Sequence, residues 1–111
     1  MVETRLIDGK AAAEVPRARI AAAAAALKAR HGVVPGLAAV LVGTDPASEV
    51  YVRSKAKATR AAGLDGVEHR LPAAAGEAEL LRLVATLSAD PAIDGILVQL
   101  PLPPQIEPQR V

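Results

Sequence analysis

The stretch LAAVLVGTDPAS, residues 37–48, sets the architecture. Its first part, 37–43, is a short apolar run without alternation. Such a run suits a strand covered on both faces, as in a parallel sheet. TDPAS, 44–48, is turn chemistry: Asp45 is placed to cap a helix and Pro46 to open it. A helix is therefore expected over 46–62, ended by Gly63.

The alternation continues on both sides of this stretch. GVEHRLP, 66–72, reads as a weaker strand whose polar middle suits a sheet edge. GEAELLRLVATLSAD, 76–90, is a helix with Leu80, Leu83, Val84 and Leu87 on one face. DGILVQLPLPP, 94–104, gives a third strand over 94–100 and then a proline-rich loop. Upstream, residues 10–31 form a helix with Ile20, Ala24, Leu27 and His31 in a stripe. Pro16 interrupts it, so the regular helix starts near Pro16 or kinks there. HGVVPG, 31–36, ends the pattern.

The expected fold is α/β: three αβα layers around a mostly parallel sheet. Strands 37–43 and 94–100 are expected to be adjacent, parallel and doubly covered. One domain, 1–111, accounts for the length.

Composition narrows the function classes. The formal net charge is +1, which argues against nucleic-acid binding driven by basic excess. The absence of cysteine excludes disulfides, a thiolate nucleophile and a Cys-based zinc site. His31 and His69 have no ligand-like spacing, so no metal is expected. No apolar run approaches a membrane span, and the N-terminus has no secretory pattern; a soluble, cytoplasmic protein is expected. G-x-G-x-x-G and G-x-x-x-x-G-K-[ST] are both missing, so no dinucleotide or P-loop site is legible.

The chemistry-bearing residues cluster on two elements. Tyr51 is the single aromatic residue, and Lys55 follows one helical turn later. With Tyr51 at zero on a helical wheel, Lys55 falls at about 40°, among Ser48, Val52, Ala58 and Thr59. Arg53, Lys57 and Arg60 fall at about 180–240°, an ordinary solvated face. Lys55 is thus the cation nearest the apolar side, where desolvation would favour a neutral amine and acid/base work. A plain alternative is a lysine whose stem covers apolar surface while its head reaches water. Gln99 is the lone amide near the carboxyl end of an apolar strand, where the ligand crevice of an open parallel sheet lies; the plain alternative is an edge glutamine facing solvent. The strand at 37–43 delivers the 46–62 helix to the same end.

LIDGKA (6–11), VGTDPASEVYVRSKAKA (42–58) and DGILVQLPLP (94–103) together resemble the bifunctional methylenetetrahydrofolate dehydrogenase/cyclohydrolase family. The resemblance covers nearly the whole chain; Pro16 departs from the family's pattern in the first helix. It implies an amino-acid-dehydrogenase-like N-terminal domain and a tetrahydrofolate substrate. The implied reactions are oxidation of methylenetetrahydrofolate with NADP (NAD in some members) and hydrolysis of the methenyl product to formyltetrahydrofolate. By resemblance, Lys55 is the general acid/base, Tyr51 packs on the folate and hydrogen-bonds it, and Gln99 orients Lys55. Ser48, Val98, Leu100 and Pro101 complete the implied substrate-binding set.

The same resemblance implies a chain truncated at its C-terminal end, without the NADP-binding domain or the family's later pterin-binding aspartate motif. It also implies a homodimer for the full-length enzyme, formed largely through that absent part. The competing reading is a folate-binding or protein-interaction module without turnover. The joint presence of Tyr51, Lys55 and Gln99 favours the enzyme.

Overall fold

The computed structural model describes residues 2–111. Three parallel strands form one sheet in the order β2-β1-β3: β1 is Gly36–Val42, β2 is Asp65–Leu71 and β3 is Gly95–Val98. Helices α1 (Gly9–His31), α2 (Pro46–Ala61) and α3 (Glu77–Ala89) alternate with them, and a 3-10 turn spans Pro108–Arg110.

The central strand behaves as its sequence demands. Ala38, Val40 and Val42 pack toward α3, with Leu80, Leu87 and Ile106. Ala39 and Leu41 pack toward α2, against Val52. Both faces are filled, which is why the run needs no polar alternation.

β3 differs from expectation. It is shorter than 94–100 and half-buried throughout, because it lies at the second edge of the sheet. Beyond it, the Gln99 N–H still donates to Val40 O at 2.9 Å, so the ladder outlasts the strand by one residue. β2 is an edge, as its polar middle indicated.

α1 is continuous from Gly9, with Asp8 Oδ1 accepting from Ala11 N–H at 3.1 Å. Pro16 lies inside the helix, two turns from its start, and forgoes one intrahelical bond there. The helix ends at Gly32, whose φ of 65° is the left-handed cap. The anticipated stripe is not a core face. Ala24 is buried, but Ile20 (49% exposed), Leu27 and His31 face outward. Small residues explain the approach that does occur: Ala18 and Ala21 share a groove with Ala58 and Ala61 of α2 and its C-cap Ala62.

The segment after β3 is anchored rather than loose. Ile106 is buried among Val40, Val42 and Leu80. Gln105 Nε2 donates to Ala73 O at 2.7 Å and Ala75 O at 3.0 Å. Glu77, in the first turn of α3, accepts from Glu107 N–H at 2.9 Å and pairs with Arg110 at 2.9 Å.

The start of β1 is tightly clamped. Gly36 N–H donates to Asp94 Oδ2 at 2.9 Å, and Gly36 O accepts from Asp94 N–H at 2.8 Å. A Cβ at this position would lie 2.0 Å from Ala92 O, a backbone atom that cannot rotate away. Gly36→Ala is therefore expected to lower unfolding free energy by about 1–3 kcal/mol or more. Gly9→Ala, with nothing within 4 Å of the added methyl, is expected to leave it nearly unchanged. Urea titration of both variants checks the contrast.

Candidate functional site

The sheet order makes a natural seam. From β1 the chain moves to β2 on one side, and β3 returns on the other. Ligand crevices of open parallel sheets form at such a reversal, beyond the strands' carboxyl ends. β1 ends at Val42 and hands over to α2 at Pro46; β3 ends at Val98, just before Gln99.

α2 is fixed at this seam from below. Ser48, Val52, Ala56 and Thr59 are its buried residues, one stripe along the helix. At its N-terminus, Asp45 Oδ2 accepts from Ser48 N–H at 2.9 Å and Asp45 O accepts from Glu49 N–H at 3.0 Å. Thr59 Oγ1 donates to Lys55 O at 2.7 Å, tying the lysine's own turn to a buried neighbour.

Lys55 and Gln99 meet. Lys55 Nζ donates to Gln99 Oε1 at 2.8 Å. Gln99 Nε2 donates to Leu100 O at 2.9 Å. These two contacts fix the orientation of the amide. A flipped amide would set its NH₂ against an ammonium and its oxygen against a carbonyl. Ser48, 1% exposed, has its hydroxyl 3.4 Å from Leu100 O. Leu100 O thus faces two donors.

The other expected residues divide. Tyr51 lies one turn before Lys55 and is 56% exposed, so its ring is open to solvent on one side. Lys55 is itself exposed and paired with Gln99, so of the two readings of the helical wheel the structure shows the lysine whose head reaches water, not the buried one. Its flank position lets the long side chain reach past the packed stripe. Leu100 and Pro101 are exposed beyond β3, joined by a cis peptide bond. Val98 points to the opposite face, into the cluster around α3, so its side chain is not brought to Lys55.

Sequence reasoning names Leu100 and Thr59 but does not reach the part each plays here. The Leu100 carbonyl leaves no mark in residue identity. Thr59 does leave one, since it stands four residues after Lys55, at the spacing a hydroxyl needs to reach a helical carbonyl. Among the described residues, no cluster of His, Asp and Glu could hold a metal ion. A cavity of about 510 Å³ lies away from this site, between β2 and α3.

The geometry alters the titration of Asp45. The Ser48 backbone N–H, and after it the Ser48 hydroxyl, hold its carboxyl below the ordinary 3.8. That hydroxyl has Asp45 and Leu100 O as rival acceptors, and the charged one is stronger. A lowered folded value means that the cap is fully present above the ordinary carboxylate range. It is lost as pH falls through the lowered folded value. The Ser48 amide proton shift, followed by NMR, is expected to titrate below pH 3.8. Asp45→Asn should abolish that titration while keeping an acceptor. Asp45→Ala should fray the first turn of α2 at every pH.

Comparison with known proteins agrees with the fold and the motifs. The family model for the tetrahydrofolate dehydrogenase/cyclohydrolase catalytic domain matches residues 7–111. The bifunctional protein FolD of Rhodopseudomonas palustris (strain TIE-1) is 59% identical over 107 residues, 96% of this chain and 36% of the relative. That of Caulobacter vibrioides (strain NA1000 / CB15N) is 58% identical over 111 residues, 100% of this chain and 37% of the relative. Among solved structures, a 5,10-methylenetetrahydrofolate dehydrogenase from the silkworm Bombyx mori superposes with a TM-score of 0.94. It is 35% identical and covers 98% of this chain and 38% of its own. The Trypanosoma brucei FolD, solved with NADP cofactor and an inhibitor, gives 0.91 at 38% identity, covering 96% of this chain and 36% of its own. The chain thus spans a little over a third of the length of these relatives.

Proposed function

The chain belongs to the tetrahydrofolate dehydrogenase/cyclohydrolase family, and on that basis we propose that it forms the folate-binding part of a bifunctional enzyme. That enzyme oxidises methylenetetrahydrofolate to methenyltetrahydrofolate with NADP and hydrolyses the product to formyltetrahydrofolate. The observation that carries this reading is the 2.8 Å contact from Lys55 Nζ to Gln99 Oε1, on an amide whose other end is already committed.

The chemistry follows from the partners. Hydrolysis adds water to the methenyl carbon and later releases one ring or bridge nitrogen. One proton must leave the water and one must reach the nitrogen. Lys55 is the group able to move it, as an amine accepting and an ammonium returning. An amide oxygen accepts from either form of the lysine, so Gln99 can hold the side chain through the whole cycle. It does so without supplying a counter-charge. Tyr51 offers a flat, half-open surface for the folate's aromatic system and a hydroxyl at its rim. Ser48 and the Leu100 carbonyl brace Gln99 from behind.

NADP, when bound by the whole enzyme, takes the hydride. Residues 1–111 contain no glycine-rich strand-to-helix turn of the dinucleotide type. What these residues contribute to oxidation is the position of the folate. A homodimer of the whole enzyme and a cytoplasmic location are part of the proposal. No helix among the described residues is long and apolar enough to cross a membrane, which is compatible with that location.

Three substitutions in the full-length enzyme separate the roles. Lys55→Met keeps the stem and removes the base; cyclohydrolase activity is expected to vanish with folate binding largely kept. Gln99→Glu sets a carboxylate against Nζ, favours the ammonium, and should depress hydrolysis most near neutral pH. Tyr51→Ala should weaken folate binding by about 1–3 kcal/mol, by analogy with stacking on bases. Absorbance assays of methenyl-folate hydrolysis read the first two and titration with a folate the third. Hydrolysis at the parent rate by Lys55→Met would refute the role assignment.

The 111-residue chain alone is expected to bind no NADP and transfer no hydride, because oriented approach of nicotinamide to folate can account for about 7–11 kcal/mol of such a barrier. Calorimetric titration with NADP checks this, and tight saturable binding would reveal a nucleotide site in these residues.

A further inference from the structure

Among the described residues no strand pairs with the outer edge of β2, and its sequence is self-complementary. Asp65 N–H donates to Pro35 O, and Leu71 O accepts from Gly43 N–H, so the odd-numbered residues of β2 turn their backbone groups toward β1. By alternation, Gly66, Glu68 and Arg70 turn theirs outward. Arg60 Nη2 confirms this direction by donating to Gly66 O from outside the sheet at 3.2 Å.

We infer that this edge pairs antiparallel with the same strand of a second copy, about a two-fold axis through His69. In this register Glu68 of one chain lies opposite Arg70 of the other. Both have outward backbone groups, so the pair exchanges both of its N–H···O bonds, and the axis makes the pair twice. Their side chains share the α2 side of the sheet, where Arg70 already holds Glu49 at 3.0 Å and approaches Glu68 of its own chain at 3.8 Å. The second copy's carboxylate joins the same guanidinium. On the α3 side, Val67, 40% exposed, falls opposite Leu71 and is covered.

Neighbouring registers fail on named residues. An axis through Glu68 or Arg70 sets like charges face to face. An axis through Val67 needs Gly66 O as a ladder acceptor, where the Arg60 guanidinium already sits. In the favoured register Gly66 faces Pro72, which has no N–H to offer, so the ladder ends where Arg60 caps it. Charges on an edge commonly guard against pairing. A guard has no need of an order in which opposite charges meet.

This contact is independent of the folate reading and distinct from the dimer proposed for the whole enzyme. It is small, so it is measured by sedimentation equilibrium of the 111-residue chain up to about a millimolar, the range of weak contacts. Wild type is expected to dimerise reversibly. Glu68→Arg alone and Arg70→Glu alone should each raise the dimer Kd by about tenfold or more, since every charged pair becomes a like pair. Mixing those two variants should restore dimers. One chain then carries arginine at both positions and the other glutamate at both, so each cross-strand pair again joins opposite charges. The double variant carrying both changes should also dimerise. Circular dichroism of each single variant checks that it is folded, and the mixing result stands even if one is less stable. A wild type that stays monomeric, a dimer indifferent to both reversals, or an edge that takes up an unrelated extended peptide instead would overturn the inference.

Discussion

A strand with no exposed face needs neighbours in its plane and covers above and below it. β1 is such a strand: Val40 and Leu41 are fully buried, toward opposite helices. Its backbone is paired on both edges by β2 and β3. From that requirement the rest follows. α2 must lie on one face and α3 on the other. The chain must reverse across β1 to supply both edge strands, and that reversal opens the seam where Gln99 and α2 face each other. The site is located by the burial of β1, not by any residue within it.

At the seam, the determining interaction is an amide with two committed ends. Gln99 could rotate freely if it met only solvent. Its backbone is held by Val40 O and its Nε2 by Leu100 O, so its oxygen has one direction left. Lys55 reaches that oxygen from an exposed helix flank. The protein thus fixes the lysine's position without removing it from water. In the proposed reading, a folate lying over Tyr51 would supply the desolvation on binding.

Much of this was legible in sequence because the signals were local. The run at 37–43 could be read as doubly covered, since burial on two faces removes alternation. TDPAS announced the cap at Asp45 and the start at Pro46, and both stand where they were expected. Lys55 and Gln99 stood out as polar residues out of phase with apolar patterns, and the structure joins them. The failures were non-local. The strand expected at 94–100 reads like a central strand, but its edge position depends on which neighbours exist, not on its own residues. The α1 stripe obeys helical spacing, yet periodicity only says which residues share a face. It does not say that anything covers that face, and Ile20 and Leu27 remain exposed. Val98 and Gln99 are neighbours in sequence, yet strand residues alternate, so the Val98 side chain packs toward α3 while Gln99 meets Lys55.

α2 has a further consequence for the whole domain. Its underside, Val52, Ala56 and Thr59, is seated on the sheet. From one flank Lys55 reaches Gln99 beyond β3. From the other, Glu49 holds Arg70 and Arg60 holds the Gly66 carbonyl, both on β2. Gly66 lets the helix come close there: a Cβ would meet Ala56 O at 3.3 Å and Thr59 at 3.5 Å. A single helix therefore spans the sheet from edge to edge. Its roll about its own axis is set by polar contacts on both sides and by a buried stripe beneath. A change at the β2 flank that let α2 roll by even a few degrees would move Nζ, at the end of a long side chain, by more than the tolerance of a hydrogen bond. The acid/base candidate is thus positioned partly by the edge strand farthest from it.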